Sequence, residues 1–198
     1  MEKYKSMRIP PITHDQWTLE VRDTLRTFSP HFADLGLSGD ESEKDILSPI
    51  LGSMLHHPAL AKAFLPFGRY LLLESELDER CRKLAILRVT WLWRFEYEWA
   101  HHTAAALKEN TLTENEIEQL KQKPAQEHWS ENEMALLNAI DEFKETATIE
   151  PTTWNQITTH FTQKQTLDLI FTVGGYITSG MYMNAINLPL KEGMKGFS

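Results

Sequence analysis

The chain has 198 residues, 41% of them hydrophobic and 24% charged, with a formal net charge of −8. That length supports one well-formed core, so a single domain over 1–198 is expected. The acidic balance argues against a nucleic-acid groove, which needs clustered Lys and Arg, and no apolar run approaches the ~20 residues that span a bilayer.

Met1-Glu2-Lys3-Tyr4-Lys5 lacks the apolar stretch of a secretory signal, and a cytoplasmic location is the expectation. Residues 1–14 read as an extended arm, because Pro10-Pro11 disfavours helix. His14 to Phe28 reads as a first helix closed by Ser29-Pro30. A loop through Gly36 and Gly39 leads to a helical segment near 41–55, where Pro49 marks an end, a kink or a new first turn. After His56-His57-Pro58, a helix near 58–74 carries Leu60, Phe64, Phe67 and Leu71 on one face, with Pro66 inside it. The two imidazoles before it read as caps or packing groups.

Asp78 then N-caps a long amphipathic helix reaching Asn110. Capping boxes, a Ser or Thr followed three later by Glu or Gln, punctuate the remainder. Thr113 with Glu116 opens a short helix to about Lys123, before Pro124. Ser130 with Glu133 opens another to about Thr146, burying Met134, Leu137, Ile140 and Phe143. Pro151 fits the first turn of a helix to His160, and Thr162 with Gln165 opens the last, Gln163 to about Asn187. Pro189 and a tail over 191–198 follow. Gly174-Gly175 inside that helix points to close packing there, with the Tyr176 hydroxyl facing a pocket. No stretch alternates with period two, so the fold class is all-α.

The informative conflict lies in the long helix. Leu84, Leu87, Trp91 and Phe95 recur at three-and-four spacing, and the same steps continue to Glu98 and His102. A carboxylate and an imidazole four apart are helix neighbours, and they arrive where the stripe calls for apolar residues. Glu98 can pair with His101 or His102, and Arg94 lies four residues before it. An ionised carboxylate raises the pKa of an imidazole beside it, and such a pair can exchange protons near neutral pH. The competing reading is a polar network that fixes helix packing or a subunit interface.

Glu98-x-x-His101 has the spacing of carboxylate-bridged di-iron bundles. The second motif those bundles require is missing, so no metal or other cofactor is expected, although a mononuclear site on Glu98, His102 and a third residue stays open. The lone Cys81 excludes an intrachain disulfide; Arg80 and Arg82 beside it could favour its thiolate. No nucleophile elbow, phosphate loop or dinucleotide fingerprint occurs.

Leu84-Ala85-Ile86-Leu87-Arg88-Val89, Glu96-Tyr97-Glu98-Trp99 and His101-His102 resemble the signature of carboxymuconolactone decarboxylase-like proteins, a superfamily that includes the AhpD-type alkylhydroperoxidases. His57-Pro58, Leu65-Pro66-Phe67-Gly68-Arg69, Val173-Gly174-Gly175-Tyr176, Asn184 and Leu188-Pro189-Leu190 extend the resemblance in order over nearly the whole chain. It implies an all-helical bundle and a homo-oligomer, trimer or hexamer with a dimer also possible, with a pocket near the motif. The thiol-active branch carries Cys-x-x-Cys-x-x-x-His. Laid on His102, its cysteines fall on Phe95 and Glu98, and its assisting acid on Lys83. Both thiols are missing, so peroxidase (peroxiredoxin) activity is not expected.

The resemblance then implies cofactor-independent, lyase-like acid–base chemistry on a small organic acid or lactone. Glu98 and His102 would be the catalytic pair, with Tyr97, His101, Arg94, Glu96 and Tyr176 supporting them or lining the pocket. Arg69, Arg88 and Arg94 are candidates to bind a substrate carboxylate. The alternatives are a non-catalytic oligomeric ligand-binding protein and a thiol enzyme using Cys81 alone.

Overall fold

The computed structural model describes residues 4–28 and 47–197. Ser29-Pro30, His31, the loop through Gly36 and Gly39, and the start of the segment near 41–55 lie outside the described residues. Those described are all-α, with no strand among them. They comprise α1 (Leu19–Phe28), α2 (Pro49–Met54), α3 (Pro58–Leu73), α4 (Glu79–Leu92), α5 (Glu96–Lys108), α6 (Glu114–Gln119), α7 (Glu131–Thr146), α8 (Pro151–His160) and α9 (Gln163–Ala185). No helix among them is long and apolar enough to cross a membrane. The chain divides into two compact units, one of residues up to Leu72 with Ala185–Pro189, the other of Leu73–Asn184 with Leu190–Ser198.

In the first unit the N-terminal arm is tied down by its backbone. Arg8 N donates to Ile186 O at 2.8 Å, Ile12 N to Gly52 O at 3.0 Å, and Ser53 Oγ to Ile9 O at 2.7 Å. Gly52 permits that approach, since a Cβ there would sit 2.7 Å from Pro11 Cβ. The first helix starts later than expected. Residues His14–Gln16 form a 3-10 turn closed by a Thr13–Gln16 capping box, and α1 begins at Leu19, burying Val21, Thr24 and Leu25. Pro49 sits in the first turn of α2 behind the N-cap Ser48.

The α3 face is rotated from the expected one. Leu60 is 52% exposed, whereas Ala61 and Leu71 are buried. The smaller Ala61 takes the line of close approach, leaving Leu60 one position further round the helix. His57 caps this helix, its Nδ1 accepting from Leu60 N at 3.4 Å.

The second unit is built on α4, which packs on α5 and α7, while α7 packs on α8. The expected one-sided stripe proves to be burial all round: Cys81 and every residue from Lys83 to Thr90 are buried. The charged members survive because each has a partner. Arg88 clamps Asp141 through Nε and Nη2, both at 2.7 Å, and its Nη1 donates to Leu120 O at 2.6 Å and Gln122 O at 2.7 Å. Lys83 Nζ lies 2.6 Å from Glu109.

The expected single helix from Asp78 to Asn110 is two helices. Asp78 does cap α4, accepting from Cys81 N at 2.9 Å. At the far end Arg94 turns left-handed, with φ 61°. Arg94 N donates to Trp91 O at 3.2 Å and Phe95 N to Thr90 O at 2.9 Å, the paired bonds of a Schellman stop. Phe95 then serves as the N-cap residue of α5. Asn110, with φ 54°, closes α5 in the same way.

The boxes at Thr113 and Ser130 open α6 and α7 as expected, Pro151 is the first residue of α8, and Thr162 precedes α9. The short α6 stops before Lys123 as its end tightens, Lys121 N donating to Glu118 O at 3.2 Å and Gln122 N to Gln119 O at 3.0 Å, and side chains of α4 take the carbonyls beyond. Arg88 takes those of Leu120 and Gln122, and Trp91 Nε1 takes that of Lys121 at 3.1 Å.

Close packing in α9 falls at Gly180, not at the Gly174 site. A Cβ on Gly174 would meet nothing within 4 Å, whereas one on Gly180 would fall inside the Phe95 ring. Phe95 is itself buried, so the ring has little room to yield. Gly180→Ala is expected to lower stability by about 1–3 kcal/mol, the usual cost of overpacking a core. A urea melt followed by circular dichroism checks this; an unchanged midpoint would contradict the packing described.

Candidate functional site

Glu98 and His102 both lie on α5 and both are buried, at 5% and 6% exposure. The stripe therefore does carry a carboxylate into the interior. Each carboxylate oxygen has its own partner. Oε1 accepts from Ser179 Oγ at 2.8 Å, and Oε2 lies 3.4 Å from His102 Nε2. Burial alone would raise the Glu98 pKa, but the hydrogen bond and charge of His102 and the Ser179 hydroxyl outweigh it. They hold the carboxyl below its ordinary range.

The ring of His102 also meets Tyr176 edge-on, with centroids 5.2 Å apart. Tyr176 is buried, and burial followed by the charge of Glu98 pushes its phenol well above the ordinary value. It stays protonated at any ordinary pH.

His101 takes a different part from the one its spacing suggested. It stacks on the buried Tyr97 ring at 6.3 Å and 14°. Burial depresses its pKa, and the positive charges of His102, Lys191 and Lys83 add to this, outweighing the attraction of Glu98. The expectation that Glu98 raises a neighbouring imidazole fails for His101, because burial first, and then the cations around it, outweigh that attraction.

Arg94 and Glu96 point away from the pair. Arg94 lies outside both helices, its guanidinium 4.2 Å from the Phe197 ring centre and 5.2 Å from that of Trp91. Glu96 Oε1 accepts from Phe197 N at 3.2 Å. Together they fasten the tail, whose Phe197 ring also packs on Trp91 at 5.3 Å and Trp99 at 6.2 Å.

Two of the candidate carboxylate-binding arginines are engaged elsewhere: Arg88 is spent on Asp141 and two carbonyls, and Arg94 lies on aromatic faces. The cations that act on the site are Lys83, Lys191 and Arg82, the last felt by Tyr176.

Cys81 is 2% exposed, and its thiol pKa is pushed far up by burial, then by the hydrogen bond and charge of Asp78 and the charge of Glu133. The expectation that its flanking arginines favour a thiolate is overturned. Arg80 is committed to Glu116, to Glu133 at 2.6 Å and to Thr111 O at 3.1 Å, so little of its charge is left for the sulfur.

Among the described residues no group of three or more His, Cys, Asp and Glu side chains gathers at metal-binding distance. Two surface clefts, of about 490 and 650 Å³, lie elsewhere in the second unit. Met134, Asn138 and His160 line the first; Trp154, Phe161 and Leu167 line the second.

Ser179 is the residue that sequence reasoning missed. A serine in the middle of a helix has no spacing that announces a partner 81 positions away. Its one sequence signal is local: it lies three after Tyr176, on the same helix face.

An all-helical protein with a buried carboxylate–imidazole pair on adjoining turns defines the class. Residues 58–142 match the carboxymuconolactone decarboxylase family, a span holding Glu98 and His102 and ending before α8 and α9. Solved structures share the fold. One, from Agrobacterium tumefaciens, is a protein of unknown function proposed to be the antioxidant-defence protein AhpD; it is 19% identical with a TM-score of 0.61, over 70% of this chain and 94% of that one. The debrominase Bmp8 is 11% identical with a TM-score of 0.66, over 93% and 92%. An uncharacterised peroxidase-related protein from Silicibacter sp. TM1040 is 15% identical with a TM-score of 0.68, over 95% of each chain. At such identities the likeness is one of fold. A search of curated proteins finds no match. Residues 58–142 thus carry that family's pattern, and the described residues share the helical fold of AhpD-like structures.

The electrostatics set an acid limit on folding. A carboxyl held below its unfolded value adds stability above ~4.3, which is lost as pH falls through the folded value. Urea midpoints measured from pH 7 to pH 3 are therefore expected to fall less steeply in Glu98→Gln than in the wild type. Parallel curves would show that Glu98 is not held ionised. Cys81 should react with iodoacetamide at pH 7.5 only as fast as the chain opens, at least a hundredfold slower than in 6 M urea; rapid labelling of the folded protein would contradict its burial.

Proposed function

We propose that this protein carries out cofactor-independent acid–base chemistry on a small organic acid or lactone, with Glu98 and His102 as the proton-transfer pair. The observation that carries this reading is a buried carboxylate kept ionised beside an imidazole, at a place where the helix stripe calls for an apolar residue. With Nε2 turned to Glu98, His102 has Nδ1 left to meet a ligand. That nitrogen takes a proton from carbon next to a carbonyl, and the imidazolium formed is stabilised by Glu98. The proton then returns to carbon at another position. In a decarboxylation there is no prior abstraction: the carboxylate leaves as CO2, its bonding electrons pass into the conjugated carbonyl, and the imidazolium of His102 protonates the resulting enolate at carbon. Burial favours such charge exchange, since electrostatic effects are larger away from water.

Lys83, Lys191 and Arg82 supply positive potential near the pair, which suits an anionic substrate. Tyr97, His101 and the neutral Tyr176 serve as walls and hydrogen-bonding groups. The family match over residues 58–142 supports assembly of several copies into a homo-oligomer.

One observation favours a second reading. Both oxygens of Glu98 are engaged and both side chains are nearly closed to solvent, as a non-catalytic ligand-binding protein would have them. The two readings separate by experiment. A panel of lactones and small carboxylic acids is screened by thermal shift, and hits are followed for turnover. Glu98→Gln and His102→Ala are each expected to cut turnover by 10²-fold or more, the usual weight of a general acid or base. Binding that persists without turnover in the wild type would instead establish the second reading. Alkyl-hydroperoxide reduction is expected to be absent in both the wild type and Cys81→Ser; activity that vanished in Cys81→Ser would overturn both readings.

A further inference from the structure

We infer that Ser179 is a positioning residue: it fixes the plane of the Glu98 carboxylate so that one oxygen faces His102, and Gly180 is the feature that brings it there. The inference rests on the acid–base reading above and concerns α9, which lies outside the span of the family match.

The geometry is a three-point hold. Gly180 lacks the Cβ that would enter the Phe95 ring, so α9 can lie directly on the N-cap of α5. Asn184, one turn further along, donates from Nδ2 to Arg94 O at 3.1 Å and ties α9 to the bend before α5. Tyr176, one turn the other way, sets its ring against His102. Between these contacts Ser179 has its hydroxyl 2.8 Å from Glu98 Oε1.

A carboxylate on a flexible stem has a broad terminal rotation, and the one contact from α5 itself, His102 Nε2 at 3.4 Å, is too long to fix it alone. A hydroxyl donating to one oxygen removes that freedom and leaves the other facing His102 Nε2. Ser179 thus acts through Glu98 and touches no reacting atom. The groups facing Glu98 are His101 and His102 from its own helix and Tyr176 and Ser179 from α9. Lys83 and Lys191 act at the next remove, through His101.

Orientation and mere hydrogen bonding differ in one measurable respect, which is additivity. The Glu98 carboxyl is followed by carbon NMR against pH, its signal assigned by loss in Glu98→Gln. The set comprises wild type, Ser179→Ala, His102→Gln and the double variant. His102→Gln is expected to raise the Glu98 midpoint by about one pH unit or more, as loss of a close partner does. In the Ser179→Ala background that rise is expected to shrink by half or more, because the freed carboxylate no longer presents Oε2 to His102. Ser179→Thr should restore the full rise, and Ser179→Cys, which keeps the bulk but donates weakly, should behave as Ser179→Ala.

Equal rises in both backgrounds would overturn the inference, leaving Ser179 an independent donor; so would full coupling in Ser179→Cys. Neither result bears on turnover. Loss of the acid–base reading would come from unchanged turnover in Glu98→Gln and would leave the titration coupling as it stands.

Discussion

The second unit depends on one backbone turn. At Arg94 the chain enters the left-handed region, a conformation that usually falls to Gly or Asn because a side chain is strained there. The strain of about 1–2 kcal/mol is offset by what the turn permits. It ends α4 after Leu92, swings Phe95 inward and starts α5 on a new axis. The Arg94 side chain lies over Phe197 and Trp91, while its carbonyl is taken by Asn184. A straight helix would have carried Phe95, Glu98 and His102 on along the α4 axis. The bend aims them at α9 instead, where Gly180 and Ser179 receive them.

The same unit tolerates an unusual burden of buried charge in α4, and the reason is the completeness of the partners. Removing an ion from water costs several kcal/mol, which one contact does not repay. Arg88 meets a bidentate carboxylate and two carbonyls, a set that uses four of its five donor hydrogens. Lys83 meets Glu109, and Arg80 spans two carboxylates and a carbonyl. These commitments also shape reactivity. Cys81 sits between Arg80 and Arg82 in sequence, yet its thiol experiences Asp78 and Glu133 more strongly than either. Proximity in sequence does not make a charge available when stronger partners already hold it.

What the sequence disclosed follows from how local each signal is. Asp78, Thr113, Ser130 and Thr162 announced their helix starts because a capping bond closes within three residues. The Glu98–His102 pair was legible for the same reason, lying one turn apart. The break at Arg94 was not, since arginine carries no preference for the left-handed region and the apolar spacing runs on through Phe95. The α4 stripe was read as one-sided because Lys83 and Arg88 look like surface residues until Glu109 and Asp141 are brought to them. Gly174-Gly175 drew attention as a pair, but Gly174 has open space where a Cβ would go, while at Gly180 a ring from another helix occupies the space of a side chain. Ser179 was invisible because its partner comes from a different helix.

The positions at which the thiol-active pattern differs from this chain share a physical logic. Laid on His102, that pattern would place sulfur at Phe95 and at Glu98 and a carboxylate at Lys83. Here Phe95 is a packing wedge against Gly180, with no reactive atom. Glu98 brings a negative charge to the centre of the site, and Lys83 brings a positive one where the pattern has an acid. The two exchanges compensate: an ionised carboxylate inside needs cations in reach, and Lys83 acts on His101 beside it while pairing with Glu109. Restoring one cysteine at Glu98 would leave Ser179 and His102 facing a group without their matching charge. An acid in place of Lys83 would face the carboxylate of Glu109, the partner Lys83 now holds. The site is therefore a polar arrangement whose charges are matched to one another, with no sulfur at either of the pattern's two positions.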